Sequence, residues 1–198
     1  MNSFYSQQAG CTVRWHDLPG TGDPVVFIHG LGCAASYEYP RVVHDPQFGA
    51  RRAILIDLPG SGYSDKPAHY RYRTTDQARV VVELINHLKL DTFWLYGHSM
   101  GGSIAIETAG MLPTRVKGLM VSEPNFHAGG GMFSRSIAAQ TEQHFWNRAM
   151  TPCCAPKPRR GQGACRAMPL TPSGAVPRVW WRALSRNGRR SSCHSRAR

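Results

Sequence analysis

Long hydrophobic runs are absent from this chain of 198 residues. No stretch approaches the ~18 consecutive apolar residues that mark a membrane span, so no membrane role is expected. Met1 to Gln8 lacks a basic region followed by an apolar one, so no secretory leader is read. Cysteine is scarce as well: of six, only Cys11 and Cys33 precede residue 150, and neither they nor the later four resemble a disulfide framework. A reducing, cytoplasmic setting is the expectation. The net charge of +12 suggests nucleic acid until its distribution is read. Residues 1–150 hold 13 Lys and Arg against 12 Asp and Glu, whereas residues 151–198 hold 11 basic residues and no acid. The charge belongs to the tail, and nucleic acid is not the expected partner of the body.

What is present is an alternation of apolar runs and helical patterns. Cys11 to His16 alternates apolar with polar after a turn at Ala9-Gly10, predicting a hairpin. Leu18 to Asp23 reads as a turn cluster, and Pro24 to Ile28 as a strand covered on both faces, ending at His29-Gly30-Leu31-Gly32. A helix can begin near Ala34 to Ser36. Arg52 to Asp57 is a second buried strand, closed by a Gly-rich and Pro-rich loop from Leu58 to Asp65. Thr74 and Gln77 predict a capping box for a helix whose apolar face is Ala78, Val81, Val82, Ile85 and Leu88. Asp91 to Tyr96 and Val116 to Ser122 are further strands, the second ending at Glu123-Pro124-Asn125. This alternation predicts an α/β class with a mostly parallel sheet, helices on both faces and a site at the carboxyl ends of the strands.

At one of those ends stands Gly97-His98-Ser99-Met100-Gly101, between an apolar strand and a helix rich in small residues. A serine hydroxyl is a poor nucleophile at neutral pH, so a sharp turn must push it towards a base and N–H donors. Gly97 and Gly101 flank Ser99 where a Cβ would collide with the crossing strand and helix.

Phe27-Ile28-His29-Gly30-Leu31-Gly32, Asp57 to Ser64, and Gly97 to Gly102 together resemble the α/β-hydrolase fold superfamily over roughly residues 10–150, its amino-terminal portion. The resemblance implies Ser99 as nucleophile at a nucleophile elbow, with the backbone N–H groups of Leu31 and Met100 as oxyanion donors. It also implies acyl transfer from a small-molecule substrate to water, without metal or organic cofactor. The family's acid and histidine fall beyond residue 150, so its C-terminal strands are expected to be missing. Glu123 is an alternative acid, with a structural ion pair as its other role. The catalytic histidine is unassigned: His29 and His98 have other duties in the family pattern, His127 and His144 lie near the lid, and His194 lies in the tail. Ester cleavage that is weak or absent is therefore expected.

Two other readings stand beside this one. One is a non-catalytic scaffold or binding protein. The other is a dinucleotide-binding fold, in which Gly30 to Ala35 fits G-x-G-x-x-A and Asp57 is the ribose-binding acid. That reading leaves Gly97 to Gly101 without a task.

The expected organisation is a core over residues 1–128, the start of a helical lid over 129–150, and a disordered basic tail over 151–198. The tail holds 6 of the 14 prolines, and its cysteines (Cys153, Cys154, Cys165, Cys193) fit no usual zinc spacing. A shift of reading frame near residue 150 accounts for its arginine-rich composition. Translating the two other frames beyond that codon tests this: one is expected to continue the strand and helix pattern, and failure in both rejects it.

Overall fold

The computed structural model describes residues 1–126, 135–136 and 139–141. The chain divides into two units, Met1–His127 and Ala128–Arg198. In the second, Arg135 and Ser136 are helical, with the Ala139 N–H donating to Arg135 at 3.0 Å. The expected lid and tail lie outside the described residues, apart from these five positions.

In the first unit, a sheet of six strands has the order β1-β2-β4-β3-β5-β6. The strands are β1 (Asn2–Ser6), β2 (Cys11–Leu18), β3 (Thr21–Ile28), β4 (Arg51–Asp57), β5 (Phe93–His98) and β6 (Val116–Ser122). β1 and β2 form the expected hairpin, β2 runs antiparallel to β4, and β4, β3, β5 and β6 are parallel. The helices are α1 (Ala35–Glu38), α2 (Pro40–Val43), α3 (Thr74–His87) and α4 (Met100–Met111).

The central strands read as continuous apolar runs because both sheet faces are covered. Side chains alternate along a strand, so successive residues enter different cores. Val26, Ile28, Ile54, Ile56 and Leu95 join Ala78, Val81, Leu84, Ile85, Ile104 and Ala105 on the side of α3 and α4. Val25, Phe27, Ala53 and Leu55 join Ala35 and Tyr39 on the other. Each fully buried Ile or Leu contributes about 2 kcal/mol. β6 forms the far edge, with Leu119, Met120 and Val121 exposed.

Four local expectations need correction. Thr21 and Gly22 belong to β3, not to a turn, since Thr21 pairs with Arg51 across a register shift. β5 starts two residues later than expected and runs on to His98, because its ladder with β6 continues to Ser122. There is no capping box: Thr74 is the first helical residue, Arg73 caps without its side chain, and buried Gln77 donates from Nε2 to the Pro59 carbonyl at 3.1 Å. The buried face of α3 is Gln77, Ala78, Val80, Val81, Leu84 and Ile85, with Val82 and Leu88 only half-buried. α4 lies alongside α3 and widens the stripe it must bury.

Two constraints hold the loops at the carboxyl ends of the strands. The first is steric. A Cβ at Gly101 would stand 2.3 Å from the Ile28 carbonyl oxygen and 2.5 Å from that of His29, so α4 touches the end of β3. The second is a buried hydrogen-bonded imidazole. His29, with no exposed surface, receives the Leu58 N–H on Nε2 at 3.1 Å, which leaves Nδ1 as the donor to the Gly30 carbonyl at 2.8 Å. One neutral ring thus joins the loop after β3 to the loop after β4. Burial pulls its pKa down, against the opposing effects of its bond to Gly30 and of the Asp57 and Glu38 charges.

Gly101→Ala adds helix propensity worth about 1 kcal/mol but overpacks a backbone contact at about 3 kcal/mol, a net loss of roughly 2 kcal/mol in urea denaturation. For His29 the folded chain prefers the neutral ring, while the unfolded chain takes up a proton near the ordinary value of about 6.5. Its contribution is therefore complete above about pH 6.5 and is lost as pH falls towards the folded value, by up to about 1.4 kcal/mol per unit. The difference in unfolding free energy between the parent chain and His29→Asn should shrink from pH 7.5 to pH 5.5. A constant difference contradicts the assignment.

Candidate functional site

Ser99 lies between the last residue of β5 and the first of α4, with φ 52° and ψ −120°. This left-handed φ is unfavourable for a residue bearing a Cβ, and such conformations persist only where the surroundings fix them. Here they do. The Ser99 N–H donates to the Ser122 carbonyl at 2.8 Å, and the Ser99 carbonyl accepts from Gly102 at 2.9 Å and Ser103 at 3.3 Å. A Cβ on Gly97 would stand 2.3 Å from the Gly101 oxygen, so strand and helix meet at glycines on both sides of the serine, as the spacing implies.

Leu31 and Met100 belong to the two segments that converge here. A Cβ on Gly30, next to Leu31, would stand 3.5 Å from Ser99 Cβ, so the loop after β3 lies against the turn. Met100 is the first residue of α4, where a helix leaves its N–H groups without internal acceptors. The dipole of α4 adds partial positive charge at the same end.

Next to Ser99 in the chain, His98 stands between two carboxylates. His98 Nδ1 is 3.7 Å from Glu38 Oε1, and its Nε2 is 3.7 Å from Glu123 Oε2. Glu123 follows β6 with φ 50°, its side chain 84% exposed. Glu123 therefore lies at the rim beside His98. Among the described residues no imidazole is hydrogen-bonded to Ser99. His127, His144 and His194 lie outside them. Glu38, missed in the sequence, is brought in from α1, and no spacing rule connects it to His98. Its charge, secondary to burial, helps push the Cys33 thiol up to about 11 and raises Tyr39.

Asp57 is fully engaged within the chain. Its Oδ1 accepts the Ser36 N–H at 3.0 Å, and its Oδ2 accepts the Ser36 hydroxyl at 2.8 Å and the Tyr63 N–H at 3.0 Å. It anchors α1 and the loop after β4, which leaves no carboxylate oxygen free for the ribose of the dinucleotide reading. The helix after Gly30-Leu31-Gly32 has only four residues. A cleft of about 540 Å³ between Leu18, Val43, His44 and Arg51 lies at the amino end of β4, away from Ser99, and is lined by no serine, threonine or cysteine. Among the described residues no group of three or more His, Cys, Asp or Glu could hold a metal ion, and no helix is long and apolar enough to cross a membrane.

Among curated proteins, the chain is similar to the dihydrolipoyllysine-residue acetyltransferase component of an acetoin cleaving system from Pseudomonas putida. The two are 35% identical over 118 residues, covering 58% of this chain and 30% of that one. A 2-hydroxymuconate semialdehyde hydrolase from Pseudomonas sp. (strain CF600) is 33% identical over 114 residues, covering 57% and 40%. The chain thus spans less than half the length of these relatives. Among solved structures, an esterase from Exiguobacterium antarcticum superposes with a TM-score of 0.63 at 27% identity, covering 74% of this chain and 56% of the other. The family profile for the alpha/beta hydrolase fold matches residues 23–152, well over half of the chain. With the four parallel strands and the tight turn at Ser99 already in that arrangement, the protein belongs to the alpha/beta hydrolase fold family.

Proposed function

We propose that the chain is a serine hydrolase of ester or related acyl bonds, with Ser99 as nucleophile and the N–H groups of Leu31 and Met100 as oxyanion donors. The observation that carries this reading is the left-handed backbone of Ser99 at the junction of β5 and α4. That turn exposes a hydroxyl at the carboxyl edge of the sheet. Ser99 Oγ attacks the carbonyl carbon, its proton leaves to a base, and the carbonyl oxygen becomes an anion facing the two amides. Collapse expels the alcohol and leaves an acyl-serine, which water then cleaves to carboxylic acid and free serine. Each donor acts on charge that develops only in the transition state, where its loss costs about 3 kcal/mol. The hydrolase and esterase similarities support this class. The scarcity of cysteine in residues 1–150 supports a reducing, cytoplasmic setting, and acyl transfer at a serine takes a small-molecule substrate as partner.

The limiting element is the base. No imidazole is hydrogen-bonded to Ser99 among the described residues, and loss of the Ser–His pair slows acyl transfer by about 10⁴- to 10⁶-fold while oxyanion donors retain part of the catalysis. The reading is therefore of weak hydrolysis, with Glu123 as the candidate acid at the end of β6. A non-catalytic scaffold is the second reading, favoured by the lack, among the described residues, of an imidazole hydrogen-bonded to Ser99. A fluorophosphonate probe separates the two. Slow labelling that disappears in Ser99→Ala is the expected result, with p-nitrophenyl acetate turnover falling to the buffer rate in the same variant. Labelling unchanged by Ser99→Ala rejects the nucleophile, and absence of labelling in the parent chain favours the scaffold.

A further inference from the structure

The hydrolytic scheme leaves the outer side of β6 without a task. Among the described residues β6 pairs with β5 alone, so one row of its N–H and C=O groups faces outward. Such a row is a template for another strand, and proteins blunt it with lysine, proline, a bulge or a cover. β6 has two of these devices, both at its amino end. Its ladder pairs Phe93 with Val116 and Trp94 with Gly118, which makes Lys117 the extra residue of a bulge. The Lys117 ammonium is tied to Asp23 Oδ2 at 2.6 Å. From Gly118 to Ser122 the strand is regular, holds neither charge nor proline, and exposes Leu119, Met120 and Val121.

One hydrogen bond fixes the direction of the free groups. The Ser122 carbonyl accepts the Ser99 N–H at 2.8 Å, so Ser122 turns its polar groups towards β5. That direction alternates along a regular strand: Gly118 and Met120 also face β5, and Leu119 and Val121 face outward. Two outward residues flanking an inward one match an antiparallel copy of the same strand. With a twofold axis at Met120, Leu119 of each copy stands opposite Val121 of the other, and each pair exchanges its N–H···O bonds. Met120 then meets Met120, Gly118 meets Ser122, and no charge meets a charge. An axis at Leu119 would instead set the bulge at Lys117 against Val121.

We propose that β6 is a self-association edge: a second copy of this chain adds its own β6 antiparallel across Gly118–Ser122, joining two sheets into one. The self-matching register selects a second copy as the occupant, since a closed twofold pairing uses the same patch on both partners. The pairing does not depend on Ser99 being a nucleophile. So short a strand pair lies at the weak end of interfaces, and association is expected at about 10–100 µM.

Sedimentation velocity and residue-resolved hydrogen exchange on the full chain test this, in about 0.15 M salt to screen the net charge of +12. As concentration rises through that range, the mass should approach twice that of one chain. The Leu119 and Val121 amides, fast at the low end, should become protected in step, while the Met120 amide stays protected throughout. Leu119→Pro removes an outward N–H, which an edge strand tolerates, and Met120→Lys sets two lysines against each other at the axis. Each should weaken association by about tenfold or more. Should Leu119→Pro fail to fold, Met120→Lys decides alone. A single-chain mass at every concentration overturns the proposal. In that case, Leu119 and Val121 amides that are always protected assign the edge to another segment of the same chain, and amides that are always fast leave it bare. A doubled mass that neither variant changes places the interface elsewhere and overturns the proposal as well.

Discussion

The contact between the first turn of α4 and the ends of β3 and β5 is the constraint from which the site follows. Backbone meets backbone there at Gly97 and Gly101, with no room for a single added carbon. A serine held at φ 52° would relax into an ordinary region if strand and helix could move apart. They cannot, because the helix behind the turn is anchored by Ile104 and Ala105 in the same core as Ile28 and Leu95. Packing of ordinary aliphatic side chains thus supplies the free energy that keeps one unfavourable backbone residue in place, and local strain persists only where such surroundings determine it.

The same edge uses histidine in two opposite ways, and burial decides which. His29 is enclosed, uses both ring nitrogens internally and is held neutral. His98 stands at the rim between two carboxylates, with a ring nitrogen unpartnered. Desolvation disfavours the charged form of a buried imidazole. The enclosed ring therefore serves as a fixed hydrogen-bonded link between loops.

Much of the fold was legible because it rests on local periodicity. The residues of β6 match the apolar run from Val116 to Ser122, and β4 differs from its expected start by one residue. Errors arose where a distant partner decides the outcome. Thr21 is a strand residue only because Arg51 arrives beside it, and Gln77 is no capping residue because the Pro59 carbonyl takes its amide. In the site, the tight turn at Ser99 was legible from glycine spacing at a strand end, whereas Leu31 and Met100 entered only through the family resemblance. Glu38 was not, since its relation to His98 exists only after α1 folds back across the carboxyl edge. Asp57 was noticed as a strand-end acid, but its bonds to Ser36 and Tyr63 show it to be an internal anchor of the loops.

The division of labour along the chain bears on what such a scaffold can do. The loop after β3 and the first turn of α4, which carry the proposed oxyanion donors, are held by hydrogen bonds and core contacts within Met1–His127, the Ser99 N–H bond to Ser122 of β6 among them. The proposed donors are main-chain amides, so they depend on backbone geometry and not on the identity of any side chain. A base is different in kind. It must bring a side chain within about 3 Å of Ser99, and no local spacing ensures that. Transition-state stabilisation and proton transfer are therefore separable here: a segment can hold the geometry for the first without providing the second. That separation is why the backbone of Ser99 is the better guide to the class of chemistry, and the position of an imidazole the better guide to its rate.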